Sequence, residues 1–164
     1  MQHIDFMKEA VREAEKNAHD NFSGGFPFGA VIVFKGEIVG RGRNQVIMNN
    51  DPTAHADIQA IRNACANLNI NDLTGCVLYT TCYPCPMCIT AARCAGIKKV
   101  FFGNAHDDVT KIGFNDDIFH DALINIILGE ESGEHSEIME LLQIGSDIAI
   151  TTLQMFANKQ TKIY

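Results

Sequence analysis

Thr80-Thr81-Cys82-Tyr83-Pro84-Cys85-Pro86-Met87-Cys88, read with the upstream Pro52-Thr53-Ala54-His55-Ala56-Asp57, is the stretch on which the reading of this chain turns. Two cysteines two residues apart fit a metal site, a redox pair or chance, so the partner decides. A helix beginning near Pro86 leaves Cys85 at its N-cap and Cys88 in its first turn, where unpaired backbone N–H groups and the helix dipole favour thiolates. Two thiolates and the imidazole of His55 make three ligands. Zinc with three protein ligands keeps a fourth position open for water, which is the arrangement of a catalytic site.

Other readings of the same cysteines are weaker. Cys82, Cys85 and Cys88 open a C-x₂-C-x₂-C run of the ferredoxin type, but the next cysteine is Cys94 and the prolines precede Cys85 and Cys88, so the C-x₃-C-P continuation is missing. A thioredoxin-like pair needs neither His55 nor Asp57. A closed structural zinc site would take Cys82 as its fourth ligand. The remaining histidines, His3, His19, His106, His120 and His135, read as surface or core residues.

Outward from the motif, the chain reads as alternating helices and strands. Ile4, Met7, Val11, Ala14 and Ala18 recur at helical steps, with charged residues between them. Gly24 to Gly29 is a turn-rich loop leading into a buried strand over Ala30 to Phe34. Lys35-Gly36 then turns the chain into a second arm, Glu37 to Arg41. Asn44 to Asp51 reads as polar loop, and Asp51-Pro52 as the start of a helix with an apolar stripe of Ile58, Ile61, Cys65 and Leu68. Gly75 to Thr80 is a third strand. The helix carrying Cys88 stops at Gly96, and Lys98 to Gly103 is a fourth strand. Asn104 to Asp117 reads as loop, Ile118 to Leu128 as helix or strand, and Ile148 to Lys159 as a terminal helix. Glu130, Glu131, Glu134, Glu137 and Glu140 read as a solvated acidic face. The order predicts an α/β domain of three layers, α/β/α, with a mixed central sheet. Its ligands would come from the starts of two crossover helices.

Composition bounds the function. The 164 residues are 46% hydrophobic and 20% charged, which suits one globular domain spanning 1–164. Six cysteines are few for a disulfide scaffold. The first residues show no signal-peptide pattern and no segment reaches membrane-spanning length, so a cytoplasmic protein without a membrane partner is expected. A net charge of −7 repels polyanions, and Arg41, Arg43, Lys98 and Lys99 are scattered, so no nucleic-acid partner is expected.

The pairing of Thr53-Ala54-His55-Ala56-Asp57 with Pro84-Cys85-Pro86-Met87-Cys88 resembles the zinc-dependent nucleobase and nucleoside deaminases of the cytidine deaminase superfamily, whose signature is H-x-E followed by P-C-x-x-C. Gly25 to Val33, Asn44, Asn50 to Ala56, Gly113-Phe114-Asn115-Asp116 and Phe156 to Lys159 are similar to the guanine deaminase branch. Two positions depart from it: Asp57 stands where glutamate is usual, and Tyr83 where glutamate follows the cysteine. The resemblance implies a cytidine deaminase-like fold and Zn²⁺ held by His55, Cys85 and Cys88. It implies hydrolysis of an aminated base, guanine first, with tRNA adenosine or a cytosine compound as alternatives. A weakly active or inactive variant is a further alternative, because aspartate reaches about 1.5 Å less than glutamate. It also implies proton transfer by Asp57 with Asp116 as a second acid. Base contacts would come from Phe28, Asn44, the backbone at Ala56 and Tyr164, in a small-molecule enzyme that forms a homodimer.

Overall fold

The computed structural model describes residues 2–114 and 139–159. In chain order the elements are α1 (His3–His19), β1 (Gly29–Phe34), β2 (Glu37–Arg43), α2 (Val46–Asn49), α3 (Ala56–Leu68), β3 (Val77–Cys82), α4 (Pro86–Cys94), β4 (Lys99–Asn104), α5 (His106–Thr110), β5 (Glu140–Gln143) and α6 (Ser146–Lys159). The strands form one mixed sheet in the order β2-β1-β3-β4-β5. β1 runs antiparallel to both β2 and β3, while β3, β4 and β5 are parallel. Because β2 and β3 flank β1 and point the same way, α3 is a crossover above β1, and α4 is the crossover from β3 to β4.

Both faces of the sheet are buried, which is why its central strands read as continuous apolar runs. Ala30, Ile32, Leu78 and Val100 point into one core with Ala56, Ala60, Ala64 and Ala92 of α3 and α4. Val31, Val33, Tyr79 and Phe101 alternate with them and meet Phe6, Met7 and Ala10 of α1 on the opposite face. α6 joins α1 on that face through Ala149, whose Cβ would collide with any Cβ at Gly103. Three layers result, as the sequence predicts.

α3 lies unusually close to β2. A Cβ at Gly42 would run into the carbonyl of Ala56 and the backbone N of Ala60, and one at Gly40 into the carbonyl of Ala60. Glycine in the strand therefore lets backbone meet backbone, and it seats the start of α3 beside the end of β2.

Several sequence boundaries need correction. The α3 helix begins at Ala56, not at Pro52, because His55 has extended backbone (φ −66°, ψ 156°) and serves as N-cap. The short α2 interrupts the expected polar loop before Asp51, and α5 interrupts the expected loop after Asn104. Strand β3 runs on to Cys82, and Glu140 opens β5 instead of continuing the acidic face. The α1 stripe is also rotated: Ile4 and Ala18 are only partly covered, whereas Glu13 and Asn17 are buried. Glu13 is buried because it pairs with Lys16 and Arg41, and Asn17 because its amide donates to the carbonyls of Phe26 and Asn44. The stretch from Ile118 to Leu128, His120, His135 and the glutamates from Glu130 to Glu137 lie outside the described residues.

Candidate active site

The carboxyl ends of β2 and β3 lie on one side of the sheet, and the chain leaves each of them toward a helix start. That topology brings two N-caps together. His55 caps α3, and Cys85 caps α4 with Pro86 at the first helical position, where a missing N–H costs nothing. Cys88 follows one turn later, almost fully buried.

His55 Nδ1 lies 3.6 Å from the Sγ of Cys85 and 3.6 Å from the Sγ of Cys88, and the two sulfurs are 3.4 Å apart. These three residues form the group among the described residues whose donor atoms could hold a metal ion. A tetrahedral zinc with bonds of about 2.3 Å to sulfur and about 2.0 Å to nitrogen requires edges of about 3.8 Å between sulfurs and about 3.6 Å between sulfur and nitrogen. The observed triangle fits within a few tenths of an ångström. A hydrogen bond shared with Cys88, together with His55, holds the Cys85 thiol down at about 4, against the cost of burying a charge. One thiolate is thus already favoured at the helix N-terminus.

Cys82 is not in this group. Its Sγ accepts from Asn104 Nδ2 at 3.6 Å, and burial pushes its thiol up to about 12. The three-ligand arrangement expected from the sequence is the one the geometry assembles, and the weaker alternative of a closed site with Cys82 as fourth ligand is not.

Asp57 is in the first turn of α3, 7% exposed. Burial raises its carboxyl above the ordinary range, and the nearby Cys85 sulfur adds to the rise. Hydrogen bonds with Thr80 and Cys88 and the charge of His55 oppose it. Its Oδ1 has no hydrogen-bond partner although it is buried. Such an atom is expensive to leave idle in a packed interior.

That carboxylate and the donor triangle open into one cavity of about 230 Å³, lined also by Phe28, Asn44, Ala56 and Thr80. Asn44 is 2% exposed, and its Oδ1 accepts from the N–H groups of Phe26 (3.1 Å) and Val46 (3.2 Å). The residue itself lines the cavity. Of the residues expected at the site, His55, Asp57, Cys85, Cys88, Phe28, Asn44 and Ala56 meet there; Asp116 and Tyr164 lie outside the described residues. Sequence reading assigned no role in the three-ligand site to Thr80, Cys82, Tyr83 and Pro84 of the motif strand and loop, nor to His106, Val109 and Phe114 beyond β4, all of which line the cavity. His106, read as surface or core, lines the cavity because α5 turns back over the site directly after β4. Residues 106–110 are too few for a helical period to show, whereas Phe114 lies in the Gly113-Phe114-Asn115-Asp116 stretch that carries part of the resemblance.

Residues 1–104 match the family model of the cytidine and deoxycytidylate deaminase zinc-binding region. A guanine deaminase of Bacillus subtilis (strain 168) is 45% identical over 120 residues, which are 73% of this chain and 76% of that protein. A tRNA-specific adenosine deaminase of Aquifex aeolicus (strain VF5) is 47% identical over 97 residues, 59% of this chain and 62% of that protein. Among solved structures, the X-ray structure of guanine deaminase from Bacillus subtilis has a TM-score of 0.66 at 37% identity, covering 100% of this chain and 99% of that one.

Proposed function

Because the chain belongs to the cytidine and deoxycytidylate deaminase zinc-binding family and is a zinc-dependent hydrolytic deaminase, we propose that its reaction is the conversion of guanine to xanthine and ammonia. The observation that carries this reading is the extent of the likeness. The guanine deaminase structure is 37% identical across the whole chain, whereas a tRNA:A34 deaminase structure that covers 92% of it is 25% identical. A net charge of −7 also suits a small neutral base better than a polyanion.

His55, Cys85 and Cys88 would hold the zinc. When bound, zinc supplies the Lewis acidity that makes a water-derived nucleophile accessible near neutral pH. Asp57 moves the protons: it takes one from the attacking water and passes it to a ring nitrogen as the C–O bond forms, then takes the remaining hydroxyl proton as the new C=O forms and gives it to the departing amine as the C–N bond breaks. The partnerless Oδ1 is the atom for this work. Asn44 Nδ2 donates to the base, Phe28 packs against its ring, and the backbone N–H of Ala56 meets its edge. Asp116 acts as the second acid, and Tyr164 covers the base.

We read 1–164 as one domain acting as a cytoplasmic homodimer. Ile47 and Met48 of α2, 45% and 49% exposed, support a partner surface there. Sedimentation at micromolar concentration should give about twice 18.1 kDa, and only the 18.1 kDa species would overturn the dimer. Ammonia release from guanine, adenine, cytosine, their nucleosides and tRNA tests the substrate. Guanine should lead by kcat/KM, and turnover confined to tRNA would overturn the reading.

A further inference from the structure

We propose that Phe114 is a specificity-determining residue: with Phe28 it forms an aromatic corner that measures the rim of the bound base and turns away bases that carry a sugar. The inference rests on the reading of this cavity as a nucleobase site.

The two rings line the same cavity with centroids 5.2 Å apart and planes inclined at 65°. They stand to each other as floor and wall. A flat heteroaromatic lying against one ring would have part of its rim toward the other, so a substituent at that part of the rim would meet the second ring. The cavity volume, about 230 Å³, is below the range of about 300–1,000 Å³ usual for small-molecule sites, so little room is spare.

The wall is rigid. Phe114 also meets Phe26 edge-on at 5.0 Å and Phe156 at 5.4 Å. Phe156 is wholly buried on α6 and packs edge-on against Phe22 at 4.9 Å. Lys159, at the end of α6, donates to the carbonyl of Ala18 (2.8 Å) and to Asn21 Oδ1 (2.9 Å), which ties that helix to the end of α1. A wall braced in this way cannot yield to a larger ligand as a lone side chain would, since close-packed interiors resist added volume. Phe114 and Phe156 also lie beyond residue 104, where the match to the zinc-binding region ends. One ring of the size gauge and its brace therefore come from a part of the chain separate from the zinc-binding region.

The test compares kcat/KM for guanine and guanosine in the zinc-loaded wild type, Phe114→Ala and Phe114→Leu. In Phe114→Ala the preference for guanine over guanosine should fall at least about tenfold, with guanosine turnover rising in absolute terms, in line with the roughly 10–200-fold that one apolar contact can discriminate. Phe114→Leu should move the same way by less. If the alanine variant does not fold, the leucine variant decides by the same sign. A preference unchanged within about twofold, or one lowered only by loss of guanine activity, overturns the assignment of Phe114. A wild type inactive on guanine overturns the proposed function itself and this inference with it.

Discussion

The Nδ1 of His55 lies 3.6 Å from the Sγ of Cys85, although thirty residues separate them in the chain. Each atom belongs to the N-cap of a different helix, so the metal site is a junction of two helix starts. Purified protein should carry about one zinc per chain. His55→Ala or Cys85→Ser should lose it, and Cys82→Ala should keep it, as measured by metal analysis on folded protein. Zinc lost with Cys82 would mean a closed four-ligand site and would end the catalytic argument.

Asp57 is the second test. Asp57→Asn keeps the shape and removes the base, so turnover should fall by about 10²–10⁴-fold with zinc retained. Asp57→Glu should raise turnover of the preferred base, because the longer side chain closes the gap to the reacting atoms. A glutamate variant no faster than the parent would show that the pocket has adapted to aspartate. Unchanged turnover in the asparagine variant would move proton transfer to another group, with Asp116 first in line.

Gly42 fixes the distance between β2 and α3, and so the position of His55 and Asp57. Gly42→Ala puts a methyl into the backbone of Ala56 and Ala60. Overpacking of this kind costs about 1–3 kcal/mol. The variant should show a lower Tm together with reduced zinc occupancy at limiting metal. A normal Tm with full occupancy would mean that the helix shifts without cost.

The exposed strand edge is guarded. Asn63 Nδ2 donates to the carbonyl of Arg41 (2.7 Å), and Asn67 Nδ2 to that of Val39 (2.9 Å), covering two acceptors of β2 that would otherwise invite another strand. The double variant Asn63→Ala/Asn67→Ala should lose about 1 kcal/mol per bond and scatter more light on heating. Scattering unchanged from the parent would assign the two amides to stability alone.

Glu9 gives a pH dependence. The hydrogen bond from Arg41 is the chief cause that holds its carboxyl below the ordinary 4.5, with the charges of Arg41 and Arg12 helping and burial opposing. A lowered carboxyl contributes stability that is present above its ordinary value and lost as pH falls through the lower folded value. Arg41 is 44% exposed, so the pair is worth at most about 1 kcal/mol. Arg41→Ala should be less stable than the parent near pH 7 in urea titrations, and the two should converge as pH falls below the ordinary carboxylate range. A constant difference across that range would assign the effect to packing of the arginine stem.

What the sequence alone determined is what local chemistry controls. Pro86 after Cys85 sets an N-cap, and three residues later Cys88 falls on the same turn, so half of the metal site is a matter of spacing within one helix. The apolar run from Ala30 to Phe34 and the turn at Lys35-Gly36 likewise announce a hairpin without help from elsewhere. Only the tertiary structure decided which strand end faces which. The order β2-β1-β3, with β1 antiparallel to both neighbours, brings the loop after β2 beside the loop after β3 and delivers His55 to Cys85. The same holds for the buried Glu13, which reads as charged surface until Arg41 arrives as a partner, and for Asn17, whose burial depends on the carbonyls of Phe26 and Asn44. β5 was illegible for a related reason: four residues, Glu140 to Gln143, become a strand because the edge of β4 offers them a parallel ladder, and no pattern within four residues can encode a neighbour forty residues away.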